Sequence, residues 1–96
     1  MSDRPGAMPS SEVWIPSLLR DLTGGQEVVR VAGHTIRQVI QNLDQLFPGM
    51  QERLCAGNIL RPGMAVAVNG QVSTLGMLQT IEPNSEIHFL PAVSGG

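Results

Sequence analysis

The clearest hydrophobic rhythm in the chain runs through HTIRQVIQNLDQLF (34–47). There Ile36, Val39, Ile40, Leu43, Leu46 and Phe47 recur at i, i+3, i+4, i+7, i+10 and i+11. That period predicts an amphipathic helix. Arg37, Gln38, Gln41, Asn42, Asp44 and Gln45 fall on the opposite face. Thr35 stands at the N-cap position with Gln38 three residues on, which makes a capping box available. Pro48-Gly49 ends the run. A one-sided helix of this length is marginal alone and needs a surface to cover its apolar stripe. The other hydrophobic runs are short and rich in β-formers: VWIP (13–16), ended by Pro16; QEVVRV (26–31); AVAVNG (65–70), closing on an Asn-Gly turn signal; and EIHFL (86–90). Between them, SLLRDLTGG (17–25) reads as a loop with one helical turn. MQERLCAGNILRPG (50–63) reads as a helical turn and a loop, QVSTLGMLQTI (71–81) has room for a short edge strand, and EPNS (82–85) is a turn.

The element order is β-β-α-β-(β)-β. It predicts an α+β two-layer sandwich in which a mixed sheet of four to five strands carries one main helix on one face. The first two strands should pair as an antiparallel hairpin with a long turn. Alternation turns Ile87, Phe89, Val66 and Val68 toward the helix and leaves Glu86 and His88 on the open face. If Val13 and Ile15 face the helix, Trp14 faces outward, and Leu18, Leu19 and Leu22 extend an apolar patch beside it. Residues 1–11, with two prolines, three serines and a glycine, read as a disordered lead. Residues 12–90 then form the domain and 91–96 a flexible tail.

Composition narrows the chemistry. The chain has 96 residues, 42% of them hydrophobic, and a formal charge of −2, which suits one small folded domain. There is no basic surplus and almost no stacking aromatic, which argues against nucleic-acid binding. No apolar run reaches the roughly 20 residues that span a bilayer, so no membrane role is expected. A single cysteine cannot form an internal disulfide, and a cytoplasmic location is the default. Cys55 reads as a small half-buried apolar residue rather than a sulfur-bearing one. His34, His88 and Cys55 have no recognised metal spacing, so no metal site is expected. LTGGQ lacks the Lys-Ser/Thr of a phosphate loop. All six basic residues are arginine.

The chain closes on LPAVSGG (90–96). Pro91 fixes φ and lacks an N–H, so the last strand is expected to stop there. Gly95 and Gly96 carry no Cβ and can thread a narrow channel. This diglycine end, VAVNG (66–70), SEIHFLPAVSGG (85–96) and IPSLLRDLTGGQ (15–26) together resemble the ubiquitin-like sulfur carriers of the MoaD/ThiS family, over about residues 12–96. The 15–26 loop is similar to that of the branch serving cysteine synthesis. PNSE (83–86) departs from the acidic turn common in the family.

The resemblance implies a β-grasp fold and a carrier that is not itself an enzyme and holds no bound cofactor. An E1-like adenylyltransferase would use ATP to activate the Gly96 carboxylate, and sulfur would displace AMP to leave a thiocarboxylate. That group would pass sulfur to an accepting enzyme, either cysteine-synthase-like or the large subunit of molybdopterin synthase. A metal-dependent protease is a further candidate partner. Gly95 and Gly96 would carry the activated terminus. Pro91, Ala92, Val93, Ser94, His88 and Trp14 would meet partners. The alternatives are the small subunit of molybdopterin synthase and a ubiquitin-like modifier joined to target lysines. A chain with no lysine cannot acylate its own side chains through isopeptide bonds, which weighs against a modifier that builds chains on itself.

Overall fold

The computed structural model describes residues 9–91. Strand β1 (Ser10–Trp14) pairs antiparallel with β2 (Val28–Ala32), and both are followed by α1 (Ile36–Leu46) and the short α2 (Met50–Leu54). A two-residue ladder, β3 (Cys55–Ala56) with β4 (Ile59–Leu60), comes next. Then come β5 (Met64–Val68), β6 (Gln71–Val72) and β7 (Glu86–Pro91). The main sheet has the order β2-β1-β7-β5-β6. Its last strand is central, parallel to β1 and antiparallel to β5, so the sheet is mixed as its element order predicts.

The helix forms where its apolar period says. Thr35 accepts a hydrogen bond from the Gln38 amide at 3.2 Å, and the Gln38 side chain accepts from the His34 amide at 2.7 Å. Both bonds satisfy amides at the helix start that lack a partner within the helix. Ile36, Val39, Ile40 and Leu43 are fully buried against Val13, Ile15, Val66, Ile87 and Phe89 in one core. Gly33 lets the chain turn beneath the helix: its φ is +153°, and a Cβ there would lie 2.9 Å from the Val39 backbone nitrogen. Asp44 joins the two helices by accepting from the amides of Gly49 and Gln51 at 3.1 and 2.9 Å.

The strand that carries the tail is fixed by local wiring. Asn69 (φ +51°) and Gly70 (φ +85°) occupy the two central positions of the β5–β6 turn, a conformation Asn-Gly adopts readily. The Asn69 carboxamide accepts from the Glu86 amide at 2.9 Å and donates to Ser85 Oγ at 3.3 Å. From the other side, buried Ser11 accepts from the Ser85 amide at 3.1 Å. Position β7 is therefore set by side chains from β1 and from the β5–β6 turn as well as by its ladders.

Several boundaries and placements differ from expectation. Strand β1 begins at Ser10, inside the stretch that composition marks as lead, because Ser10 and Ser11 pair with Ala32 and Val31. Residues 1–8 lie outside the described residues. Pro91 belongs to β7 and pairs with Met64 instead of ending the strand before it; as the last strand residue it can pair without an N–H. The β3–β4 ladder was hidden in a stretch that reads as loop, since two residues per strand show no period. Leu46 is exposed at the final turn of α1, where the stripe has rotated off the core. Leu19 is buried in the core, leaving Leu18 as the outward leucine of its turn.

Candidate functional site: the open sheet face and the root of the tail

One row of side chains crosses the whole open face of the sheet. Register places Val28 opposite Trp14, Trp14 opposite His88, His88 opposite Ala67 and Ala67 opposite Val72. Partners across a ladder share a face. The row therefore continues without a charge until His88, and is apolar on both sides of it. Trp14 and His88 stack with ring centroids 5.1 Å apart and planes 8° from parallel. Such stacks are worth about 0.5–1.5 kcal/mol beyond burial. Glu86 stands two residues before His88 on the same face, its carboxylate 3.5 Å from His88 Nε2. Trp14 is half-buried, and among the described residues its covered indole N–H has no acceptor in reach. A covered donor without a partner costs about 1–3 kcal/mol.

The predicted exposure of Trp14 is thus half right: the ring lies on the open face, as alternation from buried Val13 and Ile15 requires, but its neighbour His88 covers much of it. His88 and Trp14, two of the candidate partner-contacting residues, come together. Pro91 lies at the same end of the sheet. Ala92, Val93, Ser94, Gly95 and Gly96 lie outside the described residues.

The root of the tail sits in a groove of about 580 Å³. Pro91, Leu90 and His88 form one wall and the loop from Trp14 to Arg20 another, with Arg53 and Met64 closing it. The loop is held open by its own bonds. Leu19, Arg20, Leu22 and Thr23 amides donate to carbonyls three residues back. Thr23, buried, puts its hydroxyl 2.9 Å from the Gln26 carbonyl. Arg20 Nε donates to the Ile15 carbonyl at 3.1 Å, and Arg53 donates to the Leu18 carbonyl at 3.2 Å. The glycines of LTGGQ thus close a turn, and the loop holds the one helical turn expected of it, at Ser17–Leu19, and forms a structured wall. Leu18 is 83% exposed at its crest.

Arg20 and Arg53 were not singled out by any sequence pattern. Arg53 reaches the loop from a helix 35 positions away in the chain, and no spacing rule signals such a contact. Among the described residues neither guanidinium lies within 4.0 Å of a carboxylate.

Cys55 is buried on the opposite, core side, its Sγ 3.7 Å from Met77 Sδ. Burial pushes its thiol pKa up, with Arg61 and Arg37 pulling the other way. A thiol held protonated is a poor nucleophile. No group of three or more His, Cys, Asp or Glu side chains among the described residues is placed to hold a metal ion. No described helix is long and apolar enough to cross a membrane.

With this geometry in view, comparison with known proteins is informative. A model of the ThiS family matches residues 13–96. The chain belongs to the ThiS family. The match runs from the second half of β1 through the last glycine, so the ThiS-family pattern takes in the tail as well as the sheet. Sulfur carrier protein CysO of Mycobacterium tuberculosis is 34% identical over 89 residues, which is 88% of this chain and 96% of that protein. A crystal structure of the Amycolatopsis orientalis BexX/CysO complex contains a chain that superposes with a TM-score of 0.82 at 30% identity, covering 90% of this chain and 99% of that one. The crystal structure of Mycobacterium tuberculosis CysO gives a TM-score of 0.79 at 32% identity, covering 86% and 99%. The β-grasp expectation is met: this ThiS-family member, with its mixed sheet, central last strand and single main helix, superposes on both of those chains over most of its length.

Proposed function

We propose that this chain is a sulfur carrier for cysteine biosynthesis and that Gly96 is the carrying residue. The observation that supports this most directly is the ThiS-family match continuing through Gly96 beyond a β7 that ends in the groove, so the reactive end is delivered from the centre of the sheet. The likeness to CysO favours the cysteine branch over the molybdopterin branch.

The chemistry belongs to partners and to the terminus. An E1-like enzyme joins the Gly96 carboxylate to the α-phosphate of ATP and releases pyrophosphate. A sulfide-equivalent donor attacks the acyl carbon, the C–O bond to AMP breaks, and a thiocarboxylate remains. That group is ionised near neutral pH and soft, and its sulfur attacks the electrophilic carbon of an acceptor held by a cysteine-synthase-like enzyme, displacing that carbon's leaving group and leaving a thioester that joins the acceptor to Gly96. The chain acts as co-substrate and not as catalyst, and ATP is bound by the activating partner. Residues 92–96 span at most about 18 Å at roughly 3.3–3.6 Å per residue. That reach lets Gly96 enter a partner's active site while the Trp14–His88 face docks outside. A metal-dependent protease is a further partner, able to release a product left joined to Gly96.

Intact-mass spectrometry tests the reading. The chain is incubated with its E1-like enzyme, ATP and sulfide, and the expected product gains the difference between sulfur and oxygen at the C-terminus. The same chain extended by one alanine gains nothing. Failure to form that species with any sulfur donor, together with conjugates on lysines of other proteins, would favour a protein modifier instead.

A further inference from the structure

Arg20 and Arg53 come from a loop and a helix, yet both bring their guanidiniums to the same stretch of backbone. Arg20 Nε donates to the Ile15 carbonyl and Arg53 Nη2 to the Leu18 carbonyl. Both line the groove that ends at Pro91. Each spends a donor on the loop and keeps its remaining N–H groups. No carboxylate among the described residues pairs with either. Their chain neighbours Asp21 and Glu52 are exposed, and the one ion pair found among those residues joins Glu86 to His88. The groove therefore holds two oriented cations and, among the described residues, no anion to match them.

Apolar surface surrounds them. Pro16, Leu18, Met64, Leu90 and the Trp14 ring line the same groove. Leu18 is the most exposed large hydrophobic residue of the described chain, and it stands on a loop fixed by backbone hydrogen bonds. Tryptophan and arginine around a rigid apolar crest have the composition of a binding hot spot. A surface that covers Leu18 also covers the two arginines. Covering a cation without supplying an anion is strongly unfavourable. A purely apolar or basic surface is therefore rejected, and one that sets a carboxylate beside an apolar side chain is accepted.

We propose that this groove receives an acidic segment of the activating enzyme. An Asp or Glu carboxylate of that segment bridges Arg20 and Arg53, and an apolar side chain next to it packs on Leu18. Paired N–H donors suit a planar carboxylate. The choice of occupant rests on the sulfur-carrier reading: an enzyme that acts on the carboxyl end must lie over the end of β7, and the groove is there. The docking surface thus runs past the Trp14–His88 stack to the turn at Ser17–Leu19, and its arginines select the partner by charge.

The test measures the Kd of the full chain for its E1-like enzyme by isothermal titration calorimetry without ATP. It is run at low salt and at about 1 M, where the Debye length shrinks to about 3 Å. Leu18→Ser alters an exposed side chain outside the core, so the variant folds, and binding should weaken about tenfold or more. Arg53→Gln should weaken binding similarly at low salt and lose less than the parent on going to high salt. Arg37→Gln, on the exposed face of α1, changes net charge by the same amount and should keep the parent Kd. An Arg53→Gln protein that binds no more weakly than Arg37→Gln, or a Leu18→Ser protein with the parent Kd, would overturn the proposal. So would a parent chain that does not bind the enzyme, or whose binding ignores salt. The mass test of Gly96, repeated on these variants at saturating enzyme, separates the two readings. Thiocarboxylate formed by all of them would uphold the sulfur-carrier reading even where the groove fails. A parent that binds as expected yet gains no sulfur would count against that reading and leave the groove assigned.

Discussion

The two faces of β7 carry opposite chemistries one residue apart. Ile87 and Phe89 point into the core at 0% and 3% exposure, while Glu86, His88 and Leu90 look outward beside Trp14. The inward pair packs against α1 and decides whether the domain folds. The outward set makes few of the contacts that hold the domain together, yet it borders the groove from which the tail departs. The difference teaches a division of labour: one strand anchors its fold with alternate apolar residues and lines the open face and the groove with the intervening ones. Because the strand is central, with hydrogen-bonded neighbours on both sides, the backbone that carries its outward residues is fixed by two ladders.

Substituting the inward face should give the largest effect. Phe89→Ala removes a buried ring and leaves a cavity, with an expected loss of about 3–5 kcal/mol. For a domain of this size each kcal/mol lowers Tm by about 4–8 °C, so thermal unfolding followed by circular dichroism should show a drop of tens of degrees or no folded state at all. Sulfur transfer should be lost only in proportion to the folded fraction. A Phe89→Ala protein that unfolds near the parent temperature would show that β7 is not the core strand.

Asn69→Ala tests how β7 is registered and should have an intermediate effect. It removes a residue suited to φ +51° and deprives the Glu86 amide of its acceptor. The expected cost is about 1–3 kcal/mol. Hydrogen exchange at Glu86 should accelerate more than exchange at the centre of α1. Uniform acceleration across the sheet would mean that the turn contributes only to global stability.

How much of this was legible in the sequence follows from how locally each feature is encoded. The helix, its cap and its stop were legible because Thr35, Gln38 and the i, i+3, i+4 stripe all lie within one segment. The open placement of Trp14 and His88 followed from strict alternation around Val13, Ile15, Ile87 and Phe89. The stacking of the two was not legible, because it depends on the parallel β1–β7 register, which no local period encodes. The groove was hidden for the same reason: its walls come from residues near positions 18, 53 and 90, joined only by the fold. Leu19 and Leu46 were misplaced where a single turn of helix or a helix end carries too few residues to fix a face.

Outward substitutions should affect recognition more than stability. His88→Ala removes the stack on Trp14, costing about 0.5–1.5 kcal/mol. If this face docks the activating enzyme, kcat/KM for adenylation should fall at least about tenfold, equivalent to some 1.4 kcal/mol, mainly through KM. A variant with the parent kcat/KM would move the docking surface off the open face, leaving the role of Gly96 untouched.

The smallest effect is expected at Cys55, and it sharpens the contrast between the faces most directly. The only thiol of a chain proposed to carry sulfur lies on the core side, against Met77, and away from the tail root. Burial favours its neutral form and raises its pKa. The folded state therefore keeps the thiol proton at pH values where the unfolded chain has released it. More protons bound in the folded state means that stability falls with rising pH in that interval. The contribution is complete below the ordinary thiol pKa and disappears as pH rises through the raised folded value. Chemical denaturation of the parent and Cys55→Ala proteins across alkaline pH should show this decline in the parent and lose that component in the variant. Native Cys55 should also react with iodoacetamide far more slowly than in denaturant, and Cys55→Ala should form the Gly96 thiocarboxylate at the parent rate. A variant that folds but cannot be sulfurated would place a sulfur relay on the core side of the sheet, and the separation of anchoring face from delivering face would fail.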